Sequence, residues 1–315
     1  MKKVLIIRYS ALGDVILSSS LLKYLSDKGF IVDFLTKKQY YKIFEIQDFI
    51  NQVFYFKDTK DFFKIFFKII HTQQYDYIID LQKKLKTYLF RLKYPLKYYT
   101  YNSNRLYRHI FKKNPDNKHL IEKYFESLRF ILFDYNDIEK YKRPYLQLKD
   151  NNILKTIDVL IHPFASKRQK TYPFFYWERI IKELKNREIK NILISGIETE
   201  IKIVEDCYFK NEKKYIIKDI LDFSQVISSA KIVITSDSGV KHLSEALGIY
   251  TITLWGPTHP DLGFKVLNGY NFYSNLKCSP CSLHGEKSCK YGDYRCFDSY
   301  SISQIVEKIF EIIGY

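Results

Sequence analysis

The feature that most constrains the fold of this 315-residue chain is a repeated unit in which an apolar strand leads through a polar turn into an amphipathic helix. Residues 232–257 show the unit most clearly. A strand ends at the turn 237–239, a helix carries His242 on its apolar face, and Gly248 stops that helix before the next strand. Strands that alternate with helices in this way predict a doubly wound α/β fold with a parallel sheet.

The turn at residues 237–239 admits two interpretations. In a parallel α/β sheet, ligands bind at the carboxyl ends of strands, and free backbone N–H groups at a helix start favour a phosphate or diphosphate. Ser238 and Gly239 stand where those N–H groups lie, and Asp237 and His242 bring polar chemistry to the same place. An Asp or Ser before a helix is, however, most often only a cap, and the spacing alone favours the cap.

Length and composition set the broad class. A chain of 315 residues, 46% of them hydrophobic, can bury two cores of ordinary domain size. No apolar run reaches the roughly 18–20 residues that span a bilayer. The apolar part of residues 1–8 is too short for a signal peptide. We therefore expect a cytoplasmic protein without a membrane-spanning segment.

The positive charge is concentrated in one half of the chain. Residues 1–150 contain 29 Lys and Arg against 16 Asp and Glu, a net charge of +13, whereas residues 151–315 carry a net charge of +3. The first half should therefore face an anionic partner. Composition leaves that partner open among nucleic acid, acidic lipid head groups and a phosphorylated acceptor.

The chain opens with a strand at residues 4–7, a turn that contains Gly13, and a helix that begins near Asp14 and extends to about residue 25. The helix dipole favours an ionised carboxylate there, so Asp14 either complements the dipole or serves a ligand. The G-x-G-x-x-G pattern of dinucleotide-binding folds is absent. Further on, the polar segment 134–152 has the composition of a passage between domains.

Residues 60–70 form a Phe-rich helix with Lys60, Lys64 and Lys68 on one face. Such a helix suits either a membrane surface or a crossover that packs on the sheet with its lysines in water. Because a strand follows directly, the crossover is the favoured interpretation, and the wide apolar surface leaves room for both.

Cations follow the strand predicted at residues 77–81, among them Lys86, Arg105 and Arg108. They come after the carboxyl end of a strand, which is where a ligand would lie. Tyrosines are interleaved with them, as in nucleic-acid-binding segments, yet no nucleic-acid-binding signature accompanies them. Nucleic acid is therefore the less favoured partner.

The second half repeats the pattern, and each strand ends in a different polar residue. The strand at residues 159–161 leads to Ser166 and to Lys170, a side chain suited to phosphate, and the next strand leads to Glu200, which could hold ribose hydroxyls. Each residue alone is more often a solvated surface residue. Four such strand ends on one sheet edge, counting the turn 237–239, argue for a shared site.

Four cysteines lie near the C-terminus, at Cys278, Cys281, Cys289 and Cys296, and the first two have C-x₂-C spacing. Disulfides are rare in the cytoplasm, so a structural zinc site is chemically reasonable. The second pair lacks the spacing that such sites usually have, and free buried thiols are an equal alternative.

Taken together, these residues resemble glycosyltransferase family 9, the bacterial lipopolysaccharide heptosyltransferases. The resemblance extends over nearly the whole chain, and it rests on an ordered set of motifs. The motifs are R-x-S-x-L-G-D at 8–14, D-L-Q at 80–82, H-P-x-A-S at 162–166, K-x-Y-P at 170–173, G-x-x-x-E at 196–200, D-S-G-x-x-H at 237–242, G-P-T at 256–258, and the cysteine cluster.

The resemblance implies a GT-B fold, in which two Rossmann-like α/β domains face each other across a cleft. It implies an acceptor-binding domain at residues 1–150 and a nucleotide-sugar-binding domain at residues 151–315, with a C-terminal helix at about 301–313 that returns to the first domain. Transfer in this family uses ADP-activated heptoses and inverts the anomeric centre. It requires neither a metal ion nor another cofactor.

The resemblance also implies a role for each residue that matches a motif. Asp14 becomes the general base on the acceptor hydroxyl, and Lys86, with Arg105 and Arg108, binds an anionic acceptor, the lipopolysaccharide core on Kdo-lipid A. A larger set binds the ADP-sugar donor. Its members are Ser166, Lys170, Glu200, Asp237, Ser238, Gly239 and His242.

We therefore expect an inverting heptosyltransferase at the cytoplasmic face of the inner membrane that binds no nucleic acid. Phe164, Tyr172, Ser238 and Tyr250 depart from the residues most common in the family, which puts the exact donor and acceptor in question. A GT-B enzyme that uses another nucleotide sugar for a surface glycan is thus the second hypothesis. A non-catalytic basic protein that binds membrane or nucleic acid is the third, although two acidic strand ends argue against a nucleic-acid groove.

Overall fold

The computed structural model describes residues 1–130, 135–149 and 153–314, with the side chains of residues 135–137 left aside. The chain divides into two compact units. The first unit comprises Met1–Ser103 and Leu120–Asn151, and the second comprises Asn104–His119 and Asn152–Tyr315. Each unit contains one parallel sheet with helices, which confirms the predicted α/β class.

The sheet of the first unit is built on short apolar strands. They are β1 (Lys3–Ile7), β2 (Ile31–Lys37), β3 (Gln52–Phe56), β4 (Tyr77–Asp80) and β5 (Tyr98–Tyr99). The strand order is β3-β2-β1-β4-β5, and all neighbours are parallel. The central strand β1 is buried from Val4 to Ile7, as expected for a parallel sheet covered on both faces.

The helices of the first unit connect these strands. They are α1 (Leu12–Leu17), α2 (Ser19–Asp27), α3 (Lys38–Glu45), α4 (Thr59–Thr72), α5 (Tyr88–Lys93), α7 (Leu120–Phe125) and α8 (Tyr135–Lys140), while α6 (Arg105–Phe111) belongs to the second unit. The single helix expected after Asp14 is two helices, because the hydroxyl of Ser18 donates to the carbonyl of Val15 and competes with regular helix bonding. Helix α4 buries Phe62 and Phe66, which confirms its prediction as a crossover.

The sheet of the second unit has six strands. They are β6 (Ile157–His162), β7 (Ile192–Gly196), β8 (Lys213–Ile216), β9 (Ala230–Ser236), β10 (Tyr250–Leu254) and β11 (Gly269–Phe272). The order is β11-β10-β9-β6-β7-β8, again with parallel neighbours. The helices that follow α6 in this unit are α9 (Phe174–Asn186), α10 (Glu198–Val204), α11 (Ile220–Ser228), α12 (Val240–Ala246) and α13 (Ile302–Ile313).

The final helix α13 begins after Ser301, whose hydroxyl accepts a hydrogen bond from the N–H of Gln304. Its buried face, Ile305, Val306 and Ile309, joins the core of the second unit, and the helix packs against α9 and β9. Its expected return to the first domain stays a prediction.

The division of the chain differs from the expected one in one segment. Residues 104–119, which the sequence-based division placed in the first domain, belong to the second unit. The Arg108 guanidinium donates to the carbonyl of Leu262 at 3.1 Å, and the His119 ring lies 3.0 Å from the carbonyl oxygen of Lys265. The boundary predicted at residues 150 and 151 lies outside the described residues. Over the described ranges, no helix combines the length and apolar character that crossing a bilayer demands.

Candidate functional site

Both sheets contain a topological switch point, a place where the strand order turns from one direction to the other. In the first unit it lies between β1 and β4, and in the second unit between β6 and β9. In open α/β sheets, ligands bind outside the carboxyl ends of the strands at such a point. Polar side chains from the predicted motifs gather at both.

At the first switch point, the first turn of α1 presents Asp14 with one oxygen bound and one open. Its Oδ2 accepts from the guanidinium of Arg8 at 2.6 Å and from the N–H of Ala11 at 3.1 Å. Within the described part of the chain, Oδ1 forms no hydrogen bond. The Asp14 side chain is 21% exposed, and Oδ1 is the oxygen that has no partner among the described residues. We call Arg8, Asp14 and Gln82 the Asp14 cluster.

The D-L-Q motif after β4 fixes the backbone that carries this carboxylate. The Gln82 side chain accepts from the N–H groups of Tyr9 and Ser10 at 3.0 and 3.1 Å, and it donates to the Ser10 hydroxyl at 2.9 Å. Asp80 in turn accepts from the N–H groups of Gln82 and Lys83. The two loops at the switch point are therefore joined by buried hydrogen bonds, each of which is costly to leave unmade.

Lys86, predicted to bind the acceptor, lies over a set of aromatic rings. Its ammonium is 4.7 Å from the ring centroid of Tyr9, 4.4 Å from that of Phe56 and 4.5 Å from that of Phe62. Burial lowers its pKa, and the nearby Lys37 adds to that effect. Cation–π contacts of this kind hold a charge in place, so Lys86 is a fixed cation beside the loop after β1.

At the second switch point, the carboxylate of Asp237 is held by three side chains. Lys170, from the loop after β6, lies 3.0 Å from Oδ2, and Thr258, after β10, donates to the same oxygen at 2.7 Å. Lys241 of α12 donates to Oδ1. The loops after three neighbouring strands thus meet on one buried carboxylate. We call these four residues the Asp237 cluster.

The Asp237 cluster carries a net positive charge. Burial alone would raise the pKa of Asp237, but the ammonium groups of Lys170 and Lys241 hold it well below its usual range. Burial lowers the pKa of Lys241 to about 8 although Asp237 acts to raise it. Near neutral pH the cluster therefore has two ammonium groups against one carboxylate. Such a cluster favours an anion such as a diphosphate.

The turn that follows Asp237 also has a structural role. The Ser238 hydroxyl lies 3.0 Å from that of Thr235 and accepts from the N–H of Val240 at 3.3 Å. Gly239 is the residue before helix α12. Gly239 forms no side-chain cap, and Asp237 is bonded to lysines and a threonine instead, so the cap favoured by spacing alone is not formed by Asp237, which belongs to the cluster that the ligand interpretation required.

His242 is buried on α12, with 2% of its surface exposed. Burial lowers its pKa. Its Nδ1 lies 3.8 Å from Oε2 of Glu245, beyond hydrogen-bond distance, and among the described residues neither atom has a hydrogen-bond partner. The other oxygen of Glu245 accepts from the N–H groups of Leu267 and Asn268 at 2.5 and 2.9 Å.

Two further donor-site candidates stand on the same edge of the sheet without joining the cluster. Glu200 accepts from the N–H of Ile197 at 3.0 Å, and burial raises its pKa. Ser166 is exposed on the loop after β6. Since β7, β6, β9 and β10 are consecutive and parallel, their carboxyl ends share one edge, as the sequence predicted.

Comparison with known proteins decides the family. The sequence profile of glycosyltransferase family 9 (heptosyltransferase) matches residues 64–292, which is more than half of the chain. The chain belongs to glycosyltransferase family 9. The predicted family and its class of transferase enzymes are thereby confirmed.

A curated relative matches over a short segment. Lipopolysaccharide heptosyltransferase 1 of Salmonella typhimurium is 39% identical over 59 residues, which is 19% of this chain and 17% of the relative. The matched segment thus spans less than a fifth of that protein.

Solved structures match over nearly the full length. Escherichia coli ADP-heptose lps heptosyltransferase II has a TM-score of 0.74 at 15% identity, covering 99% of this chain and 98% of that one. E. coli heptosyltransferase WaaC with ADP-2-deoxy-2-fluoro heptose has a TM-score of 0.64 at 17% identity, covering 97% of this chain and 99% of that one. At these identities the likeness concerns the fold, and it confirms the predicted GT-B type.

Arg105 and Arg108, the remaining acceptor candidates of this family 9 member, lie on α6 in the second unit. The Arg108 guanidinium is stacked 5.2 Å from the ring centroid of Phe264, in addition to its bond to the carbonyl of Leu262. Arg105 is exposed. Neither arginine therefore shares the unit of Lys86, with which the sequence had grouped them.

The four cysteines do not form the metal site considered from the sequence. In the described residues, no group of three or more His, Cys, Asp or Glu is arranged to hold a metal ion. All four are free thiols, of which Cys296 is buried. The four thiols are nevertheless neighbours, since burial and then the charges of Cys281, Cys289 and Cys278 raise the pKa of Cys296. Burial acts to raise the pKa of Cys289, but backbone N–H groups from residues 291–294 lower it.

The sequence analysis missed residues that the fold brings to the two switch points. Lys241 lies in the DSGVKH segment, but a lysine in an amphipathic helix usually points to water. Gly285, in the cysteine loop, is also part of the second site. A Cβ there would lie 2.3 Å from Cγ of Lys170, so the loop can pack on the lysine stem only with glycine. Gly285 also has a positive φ of +75°, a backbone conformation that glycine adopts more readily than other residues.

Proposed function

We propose that this protein is an inverting glycosyltransferase that moves a heptose from ADP-heptose to the inner core of lipopolysaccharide, with Kdo-lipid A or heptosyl-Kdo-lipid A as acceptor. The observation that carries the proposal is the Asp237 cluster. Two lysines share one buried carboxylate at the switch point of the second unit, and the net positive charge suits a diphosphate.

The donor is held mainly through its diphosphate in this proposal. Lys170 keeps 13% of its side chain exposed and is the cation that reaches the ligand. Ser238 and Gly239 offer backbone N–H groups beside it, whereas His242, with 2% of its surface exposed, is enclosed behind them and does not contact the donor. Ser166 and Glu200 hold the ribose end. That a structural relative was solved with an ADP-heptose analogue supports ADP-heptose over other donors.

Asp14 is the general base in this proposal. The acceptor hydroxyl oxygen forms a bond to the anomeric carbon, the bond from that carbon to the diphosphate oxygen breaks, and the hydroxyl proton passes to Oδ1 of Asp14. Arg8 and the N–H of Ala11 orient the carboxylate through Oδ2. Leaving ADP gains negative charge, which the fixed ammonium groups of the Asp237 cluster stabilise more strongly in the transition state than in the ground state.

The acceptor and the place of action follow from the charge of the chain. Residues 1–150 carry a net charge of +13, which suits the acidic sugars and phosphates of a lipopolysaccharide core. Lys86 lies over the ring of Tyr9, in the loop between β1 and α1, and Arg105 adds an exposed charge. We place the protein at the cytoplasmic face of the inner membrane, bound peripherally, where such an acceptor is assembled.

A second candidate is a glycosyltransferase that uses another nucleotide sugar. Phe164 replaces a residue that is usually glycine in the family, and its ring lies where a Cβ on Gly196 would stand, at 2.6 Å. The ring fills space at the carboxyl ends of β6 and β7. The nucleoside end of the proposed donor site therefore differs in shape from that of a family member with glycine at this position. That feature bears on which base is accepted.

The deciding experiment measures ADP release from ADP-heptose with and without a Kdo-lipid A acceptor. Release that depends on the acceptor supports the proposal. No acceptor-dependent release with either Kdo-lipid A or heptosyl-Kdo-lipid A rejects it. Thermal stabilisation by ADP, UDP, GDP and CDP is measured in parallel, because a bound ligand raises the melting temperature. Stabilisation by UDP rather than ADP would favour the second candidate. Lys170→Met should remove the stabilisation, and exposed Lys182→Met serves as the matched control.

A further inference from the structure

A short segment of the first unit turns its apolar side chains outward. In the stretch Lys84–Lys97, which contains α5, Leu85 is 88% exposed, Leu92 80% and Leu96 90%. Phe90 faces the other way and packs edge-on against Phe66 of α4, with ring centroids 4.8 Å apart. The segment is thus anchored by one ring while three leucines project into solvent. We call it the basic apolar segment.

The charge around these leucines has a single sign. The basic apolar segment contains five cations, Lys84, Lys86, Arg91, Lys93 and Lys97, and the longer stretch 81–115 has ten Lys and Arg without one Asp or Glu. Exposed leucines among cations are the composition of a surface that lies in the interface of an anionic bilayer. A surface that binds another protein would more often contain carboxylates, and some of its leucines would fit into pockets of the partner.

We propose that the basic apolar segment is the surface through which the protein docks on a bilayer of anionic lipids. The leucines enter the boundary between head groups and acyl chains, while Lys84, Arg91 and Lys93 bind lipid phosphates. The inference rests on the proposed function for its setting, since a lipid-linked acceptor is met at a membrane. It names the surface, which that function does not.

The test is cosedimentation of the full chain with phosphatidylcholine vesicles that do or do not contain phosphatidylglycerol. We expect binding only with phosphatidylglycerol, and weakening by salt. A triple variant, Leu85→Ser, Leu92→Ser and Leu96→Ser, should lose about tenfold or more in vesicle affinity, since each insertion of a leucine is strongly favourable. Lys84→Gln, Arg91→Gln and Lys93→Gln together should lose about 100-fold, at roughly fivefold per cation.

Matched controls lie in the second unit. Leu154 and Ile203 are 78% and 74% exposed, so Leu154→Ser with Ile203→Ser removes apolar surface of similar exposure. Lys182, Lys190 and Lys210 are exposed lysines whose change to Gln removes the same charge. Both controls should bind vesicles as the unchanged chain does.

Three outcomes overturn the inference. The first is no vesicle binding by the unchanged chain, and the second is an equal loss of vesicle affinity in the control and segment variants. The third is self-association in light scattering that the triple leucine variant abolishes, because a second copy would then cover the surface. ADP stabilisation is measured on every variant and should not change. Failure of vesicle binding with intact ADP stabilisation rejects the docking surface alone, whereas vesicle binding without any nucleotide stabilisation rejects the proposed function alone.

A second, independent observation concerns Lys241. Only 1% of this lysine is exposed, its ammonium bonds Oδ1 of Asp237, and it lies 3.7 Å from the ring centroid of Trp255. Enclosed in this way, it cannot reach a ligand. Lys170 bonds the other carboxylate oxygen and remains partly exposed.

We infer that Lys241 is a positioning residue, which keeps Asp237 ionised and in place while Lys170 turns from it to the diphosphate. Without Lys241, the carboxylate would have to retain Lys170 to remain paired, because an unpaired buried charge is strongly unfavourable. This inference deepens the proposed donor site and predicts a dependence on pH. The charged and titratable groups that face Lys241 are Asp237, Lys170, His242 and Glu245.

The pH dependence follows from burial, which lowers the pKa of Lys241 to about 8. As pH rises through that value, Lys241 loses its proton, and Asp237 is then paired with the ammonium group of Lys170 alone. The affinity for a diphosphate should then fall about tenfold between roughly pH 7 and 9, one decade per unit once the group titrates.

The experiment titrates ADP and inorganic pyrophosphate into the unchanged chain, Lys241→Arg and Lys241→Met across that range. Lys241→Arg should bind with little dependence on pH, because a guanidinium stays protonated. Lys241→Met should bind weakly throughout, and Lys182→Met should behave as the unchanged chain. Equal affinities and equal pH profiles in all variants overturn the inference. If Lys241→Met fails to fold, the profile of Lys241→Arg decides. Pyrophosphate binding without ADP binding would reject the nucleotide and leave the role of Lys241 intact.

Discussion

Each switch point has an aspartate beyond the carboxyl end of a central strand, Asp14 in the first turn of α1 and Asp237 directly after β9, yet the two have opposite surroundings. Asp14 has one guanidinium and one backbone N–H on a single oxygen, and its other oxygen is open. Asp237 is enclosed, with two ammonium groups and a hydroxyl on its two oxygens. The same residue type therefore keeps one oxygen open in one unit, as the proposed general base requires, and is the centre of a cation cluster in the other.

The difference teaches that the number of partners and the depth of burial decide what a carboxylate does. A partly exposed aspartate with an open oxygen can exchange a proton with a ligand, as general bases must. A buried aspartate with every oxygen bonded cannot, but it can hold two lysines close together, which would repel each other without it. Making the same substitution at both positions tests whether the two aspartates have different roles.

The largest effect is expected from Asp14→Asn. The amide keeps the size of the carboxylate but cannot take the proton, so turnover should fall about 10²–10⁴-fold, the usual worth of a general base. Stabilisation by ADP should be unchanged, since the donor site lies in the other unit. Acceptor-dependent ADP release measures the first quantity and thermal melting the second. Turnover close to that of the unchanged chain would exclude Asp14 as the base.

Asp237→Asn should have the reverse pattern. The amide leaves Lys170 and Lys241 without a counter-charge in a buried site, which costs about 3–5 kcal/mol in the free energy of unfolding. Loss of the ordered lysines should also remove ADP stabilisation. Thr258→Val, which deletes one hydrogen bond from a hydroxyl to the same carboxylate, is the milder control at about 1.5–3 kcal/mol. If Asp237→Asn unfolds like the unchanged chain, the cluster is not the stabilising unit described.

Much of the fold could be predicted from the sequence because it depends on local patterns. The alternation of strands and helices gave the class, and the strand predicted at residues 159–161 lies within β6. Segment 104–119 could not be assigned, because its ties are contacts between residues far apart in the chain. Arg108 bonds a carbonyl 154 positions away, and no local spacing encodes that.

The site was predictable to the same extent. Lys170 and Asp237 were assigned to one sheet edge from strand order alone, and they are in contact. Lys241 was missed because only the closure of Trp255 over α12 makes it a buried cation. For the cysteines the sequence left a zinc site and free thiols as equal alternatives, and among the described residues no group is arranged to hold a metal ion.

Lowering the pH should reduce the free energy of unfolding of the second unit more than that of the first. His71 is the only histidine in the first unit and is exposed, whereas His119 and His162 are buried in the second. Burial lowers the pKa of each buried histidine from 6.5 to about 4. The unfolded chain then binds protons that the folded unit does not, so stability is complete above the ordinary pKa and is lost as pH falls towards 4.

The expected loss is about 3 kcal/mol per buried histidine between roughly pH 7 and 4. Hydrogen exchange resolved by peptide should therefore show the second unit opening first as the pH is lowered. His162→Gln should flatten the dependence, because glutamine can still donate to the carbonyl of Ser195 and does not titrate. Simultaneous opening of both units with no effect of His162→Gln would contradict this account.

The smallest and sharpest test uses two glycines. Asp14 is oriented by its own turn, whereas Lys170 leans on the distant cysteine loop through Gly285. Gly285 and Gly292 have nearly the same φ, +75° and +77°, but only at Gly285 would a Cβ meet another atom, Cγ of Lys170 at 2.3 Å. Both Gly→Ala changes should cost about 1–2 kcal/mol of stability from the left-handed backbone. Only Gly285→Ala should also weaken ADP binding, by about tenfold, because a misplaced cation loses part of a charged hydrogen bond worth roughly 1.5–3 kcal/mol. Equal ADP affinities in the two variants would mean that Lys170 does not depend on the loop, and the second site would then be as self-contained as the first.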